Sequence, residues 1–348
     1  MKKVTPIETR KNDHLRINLE MEVQSMLKSG LESYYFIHEA LPELDLEAVD
    51  TSLSLFGKKL AAPILISSMT GGTEEAGEIN KILAEAAQEC KIAMGVGSQR
   101  AALEDPRQIS TFTIARKAAP DILLFANLGA VQLNYGFGID ECLRAVEMIH
   151  ADALILHLNS LQEAVQENGN TNFSGLAKKI RKICKQLEVP VIVKEVGWGL
   201  SKRTARILVD CGVAGIDVAG AGGTSWSKVE MHRAPNVQFQ RLAGSFDSWG
   251  IPTANSIHNV KHVSKEVIII ASGGLKDGVD IAKCIALGAK MGGMAGPFLR
   301  AATISRNNTI ELIELTKRQI QVTMFCAGAR TLQKLRLASL ENRQDMVL

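Results

Sequence analysis

The chain has 348 residues, and 46% of them are hydrophobic, which suffices for a large core and fits either one α/β barrel or two ordinary domains. Its formal net charge of +3 is small and its basic and acidic residues are interspersed, so nucleic acid and a membrane surface are not expected as partners. No apolar run approaches the ~18 residues of a membrane helix, and the charged N-terminus lacks a secretory core. The six cysteines have no metal-type spacing, and reduced, mostly buried thiols favour a cytoplasmic protein.

Short apolar segments recur along the chain, and each ends in glycine or small polar residues. Amphipathic helical patterns lie between most of them, as in residues 78–91, 140–150 and 175–187. Strand followed by helix, eight times over, predicts a (β/α)8 TIM barrel of the α/β class. We expect a single domain over residues 1–348, with residues 1–60 as an N-terminal extension. The eight apolar segments span residues 63–68, 92–98, 122–129, 153–159, 191–197, 215–219, 267–272 and 290–295.

A doubly wound sheet is the main alternative architecture. It usually has fewer strand–helix units and a dinucleotide fingerprint, whereas the first strand here is not followed by Gly-x-Gly-x-x-Gly. Residues 225–262, after the sixth strand, show no clear strand pattern. They predict a long loop that covers the site or contacts another subunit.

Polar residues collect at the carboxyl ends of the predicted strands, where a parallel barrel places its reacting groups. The clearest case is the segment from His157 to Glu163, which follows an apolar run and contains Asn159 and Gln162. Lys194 ends the fifth strand, and because an unpaired ammonium is costly to desolvate, it must pair with Glu195 or meet a ligand. The sequence therefore predicts a reaction site at this end of the barrel.

Glycine-rich segments end the last three strands. These are Gly220 to Thr224, Ala271 to Lys276 and Met291 to Pro297. Glycine lets an anion approach the bare backbone N–H groups, and many barrels bind a phosphate after strands seven and eight. Three such segments on consecutive strand ends predict a phosphate site.

Short motifs are spread over nearly the whole chain, from about Thr9 to beyond Arg330. They are Arg10-Lys-x-x-His14, Ser68-Met-Thr-Gly-Gly72, Gly97-Ser-Gln-Arg100, His157-Leu-Asn-x-Leu-Gln-Glu163, Val193-Lys-Glu-Val-Gly197 and Gly222-Gly-Thr-Ser-Trp226. Their combination resembles the type 2 isopentenyl-diphosphate isomerases. The resemblance implies a barrel that binds flavin mononucleotide (FMN) and interconverts isopentenyl and dimethylallyl diphosphate. It also implies reduced FMN, Mg²⁺, NADPH as the reductant and a homo-oligomer, either a tetramer or an octamer.

The same resemblance implies roles for individual residues. The FMN contacts would be Ser68, Met69, Thr70, Ser98, Asn127, Lys194, Thr224, Gly274, Leu275, Lys276, Ala295 and Gly296. The substrate contacts would be Arg10, Lys11, His14, Arg100, Asn159, Gln162 and Trp226. Glu163 would hold Mg²⁺, which is compatible with one carboxylate plus diphosphate oxygens. The catalytic groups would be Gln162, which orients or relays, His157, a hydrogen-bond partner of flavin or substrate, and Lys194, which faces the cofactor.

Lys276 departs from the family pattern, since arginine is common at this position in relatives. A lysine can neutralise a phosphate but cannot form the bidentate fork of an arginine. FMN affinity is therefore the property that this difference affects most directly.

Other functional classes fit the sequence less well. A flavin-dependent 2-hydroxy-acid oxidase should have a His-Gly-Gly-Arg-like segment near strand seven, and the segment Asp217 to Thr224 has no histidine. A dehydrogenase of the inosinate type should have a catalytic cysteine in the loop after strand six, but Cys211 precedes that strand. A flavin- or phosphate-binding scaffold without activity would not require the polar set of His157, Gln162 and Glu163.

Overall fold

A computed structural model of the chain describes residues 6–342. Its centre is a closed barrel of parallel strands, in which the last strand pairs with the first. This confirms the predicted barrel and excludes the open doubly wound sheet. The barrel strands are β1 (Ile64–Ile66), β2 (Ala93–Gly95), β3 (Leu124–Gly129), β4 (Ala153–His157), β5 (Val191–Lys194), β6 (Gly215–Asp217), β7 (Ile268–Ser272) and β8 (Met291–Met294).

The inside of the barrel is packed with apolar side chains. Buried residues from different strands, including Leu65, Phe125, Ile192 and Ile270, form one interior cluster. A two-stranded hairpin, 53–60, adds Leu55 and Leu60 to this cluster. The barrel is therefore a solid core rather than a pore, and ligands are restricted to its ends.

Helices surround the barrel, and those predicted at residues 78–91, 140–150 and 175–187 begin and end close to the predicted boundaries. The helix of 17 residues after β1 shows why: the Thr73 side chain caps it by accepting from the Ala76 N–H, and its apolar positions face the strands. The longer helices are α1 (Pro6–Glu20), α2 (Glu74–Cys90), α3 (Ser110–Ala118), α4 (Ile139–Met148), α5 (Leu176–Gln186), α6 (Lys202–Asp210), α7 (Trp226–Arg233), α8 (Val237–Gly244), α9 (Thr253–Val263), α10 (Gly278–Leu287), α11 (Gly296–Ile304) and α12 (Arg306–Cys326). The short α-helices are Arg100–Glu104, Ser160–Val165 and Leu332–Leu335.

The long connection predicted after the sixth strand is present, and helices α7, α8 and α9 make up most of it. This connection has no clear periodic pattern in the sequence, because helix α7 buries the polar Ser227 and Glu230 together with the apolar Val229. Helix α7 is therefore not a typical amphipathic surface helix. Helices α7 and α8 both lie between β6 and the helix α9 that returns the chain to β7.

The N-terminal extension packs onto the barrel domain. Its helix α1 contacts α7, and Ile17 and Val23 form a small apolar cluster with Val229, against which Trp226 packs. Near the other end of the described chain, Leu340–Asn342 pairs antiparallel with Tyr34–Phe36. None of the helices in residues 6–342 is both long and apolar enough to cross a membrane.

Candidate active site

A cavity of about 550 Å³ opens at the carboxyl ends of the barrel strands. Residues of α1 and α7 line it together with residues from the strand ends. All the site residues predicted from the sequence line this cavity. The structure therefore places them in one region, and the chemistry of each side chain decides what it can do there. They are Arg10, Lys11, His14, Ser68, Met69, Thr70, Ser98, Arg100, Asn127, His157, Asn159, Gln162, Glu163, Lys194, Thr224, Trp226, Gly274, Leu275, Lys276, Ala295 and Gly296.

His157 ends strand β4 and is a neutral side chain. Burial lowers the pKa of His157 to about 3, and the positive charges of Lys194, Lys11 and Arg10 act in the same direction. Its Nδ1 lies 2.8 Å from Asn127 Oδ1, an acceptor, so Nδ1 carries the proton and donates. Nε2 is then left as an acceptor, and a neutral imidazole of this kind is a hydrogen-bonding group rather than an acid.

Lys194 ends strand β5 and does not form an ion pair with Glu195. Its Nζ donates to the backbone oxygen of Glu195 at 2.6 Å. The carboxylate of Glu195 instead accepts the N–H groups of residues 196–198 at 2.7, 2.7 and 2.5 Å. Burial raises the pKa of Glu195 to about 7 in spite of these hydrogen bonds. Lys194 thus lines the cavity without a direct ion pair to Glu195 among the described residues, although the charge of Lys194 acts on both Glu195 and the buried Asp217.

Helix α1 supplies basic side chains to the cavity. Lys11 Nζ donates to the backbone oxygens of Gly71 and, at 2.9 Å, of Ser98. Burial lowers the pKa of Lys11 to about 7, and the charge of Arg10 adds to this effect. Burial also lowers the pKa of Arg10, which is close enough to Glu163 to interact with its charge. Two basic groups held in a buried position favour the binding of an anion.

Glu230 is a buried member of the site that the sequence analysis missed. Its Oε1 accepts from Gln162 Nε2 and lies 3.0 Å from His14 Nε2, and its Oε2 accepts from Arg233 Nη1 at 2.7 Å. Burial acts to raise the pKa of Glu230, but the contacts with His14, Gln162 and Arg233 outweigh it, so the pKa is below its usual value. His14 also packs edge-on against Trp226, with the ring centroids 5.1 Å apart. Glu230 lies one helical turn after Trp226, in a segment that the sequence analysis predicted as a loop. Had a helix been predicted there, Trp226 and Glu230 would have been expected on the same face of it.

Glu163 is held in a fixed orientation. Its Oε1 accepts from Asn159 Nδ2 at 2.9 Å, and its Oε2 accepts from the backbone N–H of Asn170 at 2.5 Å. The described residues contain no cluster of three or more His, Cys, Asp or Glu side chains that could hold a metal. A metal at Glu163 would therefore need oxygen ligands from a bound molecule and from water, which is an arrangement that Mg²⁺ commonly has.

Two features of the cavity fit a flavin nucleotide. The buried hydroxyl of Ser68 has no hydrogen-bond partner among the described residues, and a Cβ at Gly95 would lie 2.5 Å from it. The loops after β6 and β7 are in close contact, because a Cβ at Gly223 would lie 2.6 Å from the backbone nitrogen of Gly274. The unpaired hydroxyl requires a polar partner, and the backbones without side chains form a cradle that a phosphate can approach.

Comparisons with known proteins identify the family. The profile of the FMN-dependent dehydrogenases matches residues 139–342, more than half of the chain. An isopentenyl-diphosphate delta-isomerase of Nostoc sp. is 54% identical over 330 residues, which cover 94% of this chain and 94% of that protein. The chain belongs to the isopentenyl-diphosphate delta-isomerase family. Another relative of that name, from Rickettsia rickettsii, is 54% identical over 331 residues, which cover 95% of this chain and 96% of the relative.

Solved structures of other flavin enzymes resemble this isomerase-family chain in fold. A flavocytochrome b2 variant with benzoylformate superposes with a TM-score of 0.69 at 17% identity, covering 97% of this chain and 84% of that one. A mandelate oxidase variant superposes with a TM-score of 0.67 at 18% identity, covering 97% of this chain and 99% of that one. At these identities the likeness shows the barrel fold alone.

Arg300 is a second residue that the sequence analysis missed. It lines the cavity from helix α11, and its Nη1 lies 3.3 Å from the point that a Cβ of Gly296 would occupy. The exposed side chain of Lys276 lines the same cavity from the loop after β7. Arg300 lies one turn inside helix α11, and such a position gives no signal in the sequence that the residue contacts a ligand. Its side chain can nevertheless reach the cavity, because side chains of a helix point back towards the helix N-terminus.

Proposed function

We propose that this protein interconverts isopentenyl diphosphate and dimethylallyl diphosphate in isoprenoid biosynthesis, by adding a proton at one carbon and removing another, with no net redox change. The observation that carries the proposal is that one cavity brings the basic side chains of Arg10 and Lys11 beside the oriented side chains of Gln162 and Glu163. The diphosphate needs the cations, and the shift of a double bond needs a shielded, positioned proton transfer.

The basic side of the cavity is the proposed diphosphate site. Arg10 and Lys11 from α1 and Arg100 from the helix after β2 supply the positive charge, and His14 adds a hydrogen bond. Arg100 Nε donates to Glu104 at 2.7 Å, which fixes the direction of its guanidinium. Positive groups that are already held in place lose little entropy when the anion binds.

FMN is the proposed cofactor. Ser68, Met69, Thr70, Ser98, Asn127 and Lys194 would hold the ring, and Thr224, Gly274, Leu275, Lys276, Ala295 and Gly296 would hold the ribityl chain and the phosphate. When bound and reduced, with NADPH as the proposed reductant, FMN supplies ring nitrogens that can give and accept the proton. The protein then has to orient the alkene, exclude water and stabilise positive charge.

Gln162 is the proposed orienting group next to the alkene. Its Nε2 donates to Glu230 at 3.0 Å and its Oε1 accepts from Asn159 Nδ2 at 3.3 Å, so both ends of the amide are fixed. An amide is too weak an acid to protonate an alkene, and the neutral ring of His157 adds a hydrogen bond rather than a proton. Trp226 lies beside His14, lines the cavity and would cover the bound substrate.

Mg²⁺, a cytoplasmic location and a homo-oligomer of four or eight chains complete the proposal. Glu163 would hold Mg²⁺ together with diphosphate oxygens and water. The six cysteines are all free thiols, which supports the cytoplasm. The oligomeric state rests on the family resemblance.

The decisive experiment is conversion of isopentenyl diphosphate by the purified protein with FMN, Mg²⁺ and NADPH in the absence of oxygen. A parallel sample with oxidised FMN is the control. We expect turnover only with reduced FMN. A yellow, FMN-loaded protein without turnover under reduction would contradict the proposed reaction and would favour another substrate.

We expect Lys276→Ala to weaken FMN binding about five- to tenfold, because an exposed charge near a phosphate contributes roughly 1 kcal/mol. Titration of FMN fluorescence with the apoprotein measures this. Lys265→Ala, which removes an exposed lysine that does not line the cavity, is the matched control. Equal FMN affinities of Lys276→Ala and wild type would exclude the phosphate contact.

We expect kcat/KM for isopentenyl diphosphate to decrease as the pH rises through about 7, the pKa of Lys11. The pKa is lowered, so the ammonium is charged below pH 7 and is lost above it, together with its attraction for the diphosphate. Lys11→Arg stays charged over the whole range, and its kcat/KM should not show this decrease. The same pH profile in both proteins would show that Lys11 is not the titrating group.

A further inference from the structure

Asn170 follows the fourth barrel strand and contacts the groups proposed for both the diphosphate and the metal. Its side-chain oxygen accepts from Arg100 Nη1 at 3.2 Å and from Gln132 Nε2 at 3.1 Å. Its backbone N–H donates to Glu163 Oε2 at 2.5 Å. Arg100, Gln132 and Glu163 follow β2, β3 and β4, so one residue connects three neighbouring loops at the mouth of the barrel.

The backbone around Asn170 fixes its position. Gly169 packs so closely against Glu163 that a Cβ would collide with the Glu163 carbonyl oxygen. Asn168 has a φ of 57°, a left-handed conformation that asparagine tolerates better than most residues. On the other side, the backbone N–H of Asn172 donates to the Tyr135 hydroxyl at 3.0 Å. The loop is thus anchored on both sides of Asn170.

We propose that Asn170 is a positioning residue that couples the binding of Mg²⁺ to the binding of the diphosphate. The inference rests on the proposed function and assigns a role to a residue outside the set predicted from the sequence. Asn170 holds the guanidinium of Arg100 and the carboxylate of Glu163 at a fixed separation. An anion on Arg100 and a cation on Glu163 would then be placed next to each other, so each would favour the binding of the other.

The chemistry of an amide suits this role. Arg100 Nε already pairs with Glu104, and the neutral Asn170 oxygen orients the Nη1 end of the guanidinium without adding a second negative charge. Hydrogen bonds from Asn159 and from the Asn170 N–H occupy only one lone pair on each oxygen of Glu163, and the remaining lone pairs are available to a metal. The carboxylate is therefore oriented before the metal arrives.

The test measures Mg²⁺–anion coupling directly on the FMN-loaded protein. Isothermal titration calorimetry gives the affinity for inorganic pyrophosphate with and without MgCl₂, for wild type and for Asn170→Ala. We expect the factor by which Mg²⁺ increases the affinity for pyrophosphate to be at least about fivefold smaller in the variant. Loss of a hydrogen bond costs roughly 1 kcal/mol, which corresponds to about a factor of five in an equilibrium constant. In turnover, KM for isopentenyl diphosphate should rise about fivefold, with kcat within about twofold and FMN affinity unchanged.

Asn172→Ala is the matched control, since its side chain in the same loop forms a single hydrogen bond among the described residues, accepting from the Ser174 N–H at 3.1 Å. It should keep the wild-type coupling. Wild-type coupling in Asn170→Ala, or equal losses in both variants, would overturn the inference, as would a loss of FMN binding in Asn170→Ala. A wild type that couples Mg²⁺ and pyrophosphate but does not isomerise would overturn the proposed function and leave the coupling role in place.

Discussion

Glu163→Gln should lower Mg²⁺-dependent turnover by more than about 100-fold while FMN binding stays unchanged. Loss of a residue that merely orients a metal ligand costs 10–100-fold, and loss of the ligand itself should exceed this. A glutamine side chain is neutral and lacks the negative charge that attracts Mg²⁺. Its NH₂ group would also face either Asn159 Nδ2 or the Asn170 N–H, and because both of these are donors, one hydrogen bond would be lost. Turnover as a function of Mg²⁺ concentration, with FMN affinity measured in parallel, tests this.

Glu167→Gln is the control for this prediction. Glu167 is an exposed carboxylate only four positions from Glu163, and it does not line the cavity. Its replacement should leave the Mg²⁺ dependence unchanged. If Glu163→Gln has the wild-type activity at limiting Mg²⁺, Glu163 is not the metal ligand.

Glu230→Gln should lower kcat/KM by at least about 30-fold. Removal of one partner from a buried, hydrogen-bonded charged group costs about 2–5 kcal/mol, and about 1.4 kcal/mol corresponds to a factor of ten in rate. A glutamine oxygen cannot satisfy both Gln162 and Arg233, which approach opposite oxygens of the carboxylate. The orientation of the Gln162 amide is then lost, and Arg233 is left beside a neutral group. Steady-state kinetics with reduced FMN measures the effect.

Glu47→Gln changes an exposed glutamate that pairs with Arg318 and lies outside the cavity, and it should have wild-type kinetics. FMN affinity should be unchanged in Glu230→Gln, because Glu230 bonds only to His14, Gln162 and Arg233 among the hydrogen bonds of the described residues. Near-wild-type kcat/KM for Glu230→Gln would show that its contact with Gln162 does not serve the reaction.

The barrel strands could be predicted because their sequence signal is local. A strand buried on both faces is a continuous apolar run, and residues 153–157 are such a run, with only His157 incompletely buried. The polar residues after each run could likewise be assigned to the site, since a parallel barrel brings these ends together. Those predictions needed only the order of residues along the chain.

The helices that cover the site, α1 and α7, and the buried Glu230 between them could not be predicted in the same way. Helix α1 buries Leu15 and Ile17 but has no regular apolar stripe, so residues alone suggest a solvated leader. Helix α7 places the charged Glu230 on its buried side, which contradicts the usual amphipathic pattern. Glu230 is buried because His14 and Gln162 satisfy it, and these partners are known only from the fold.

The contact between His14 and Glu230 joins positions that are 216 residues apart. The cover formed by α1 and α7 therefore depends on contacts between distant parts of the chain, and Ile17, Val23 and Val229 form a small apolar cluster of their own there, while Leu15 of α1 packs in the main core. Segments with few buried apolar contacts open at a lower free energy than the core. Hydrogen exchange should accordingly be faster in α1 than in the barrel strands. The stability of the contacts between α1 and α7 then contributes to how often the cavity is open to solvent.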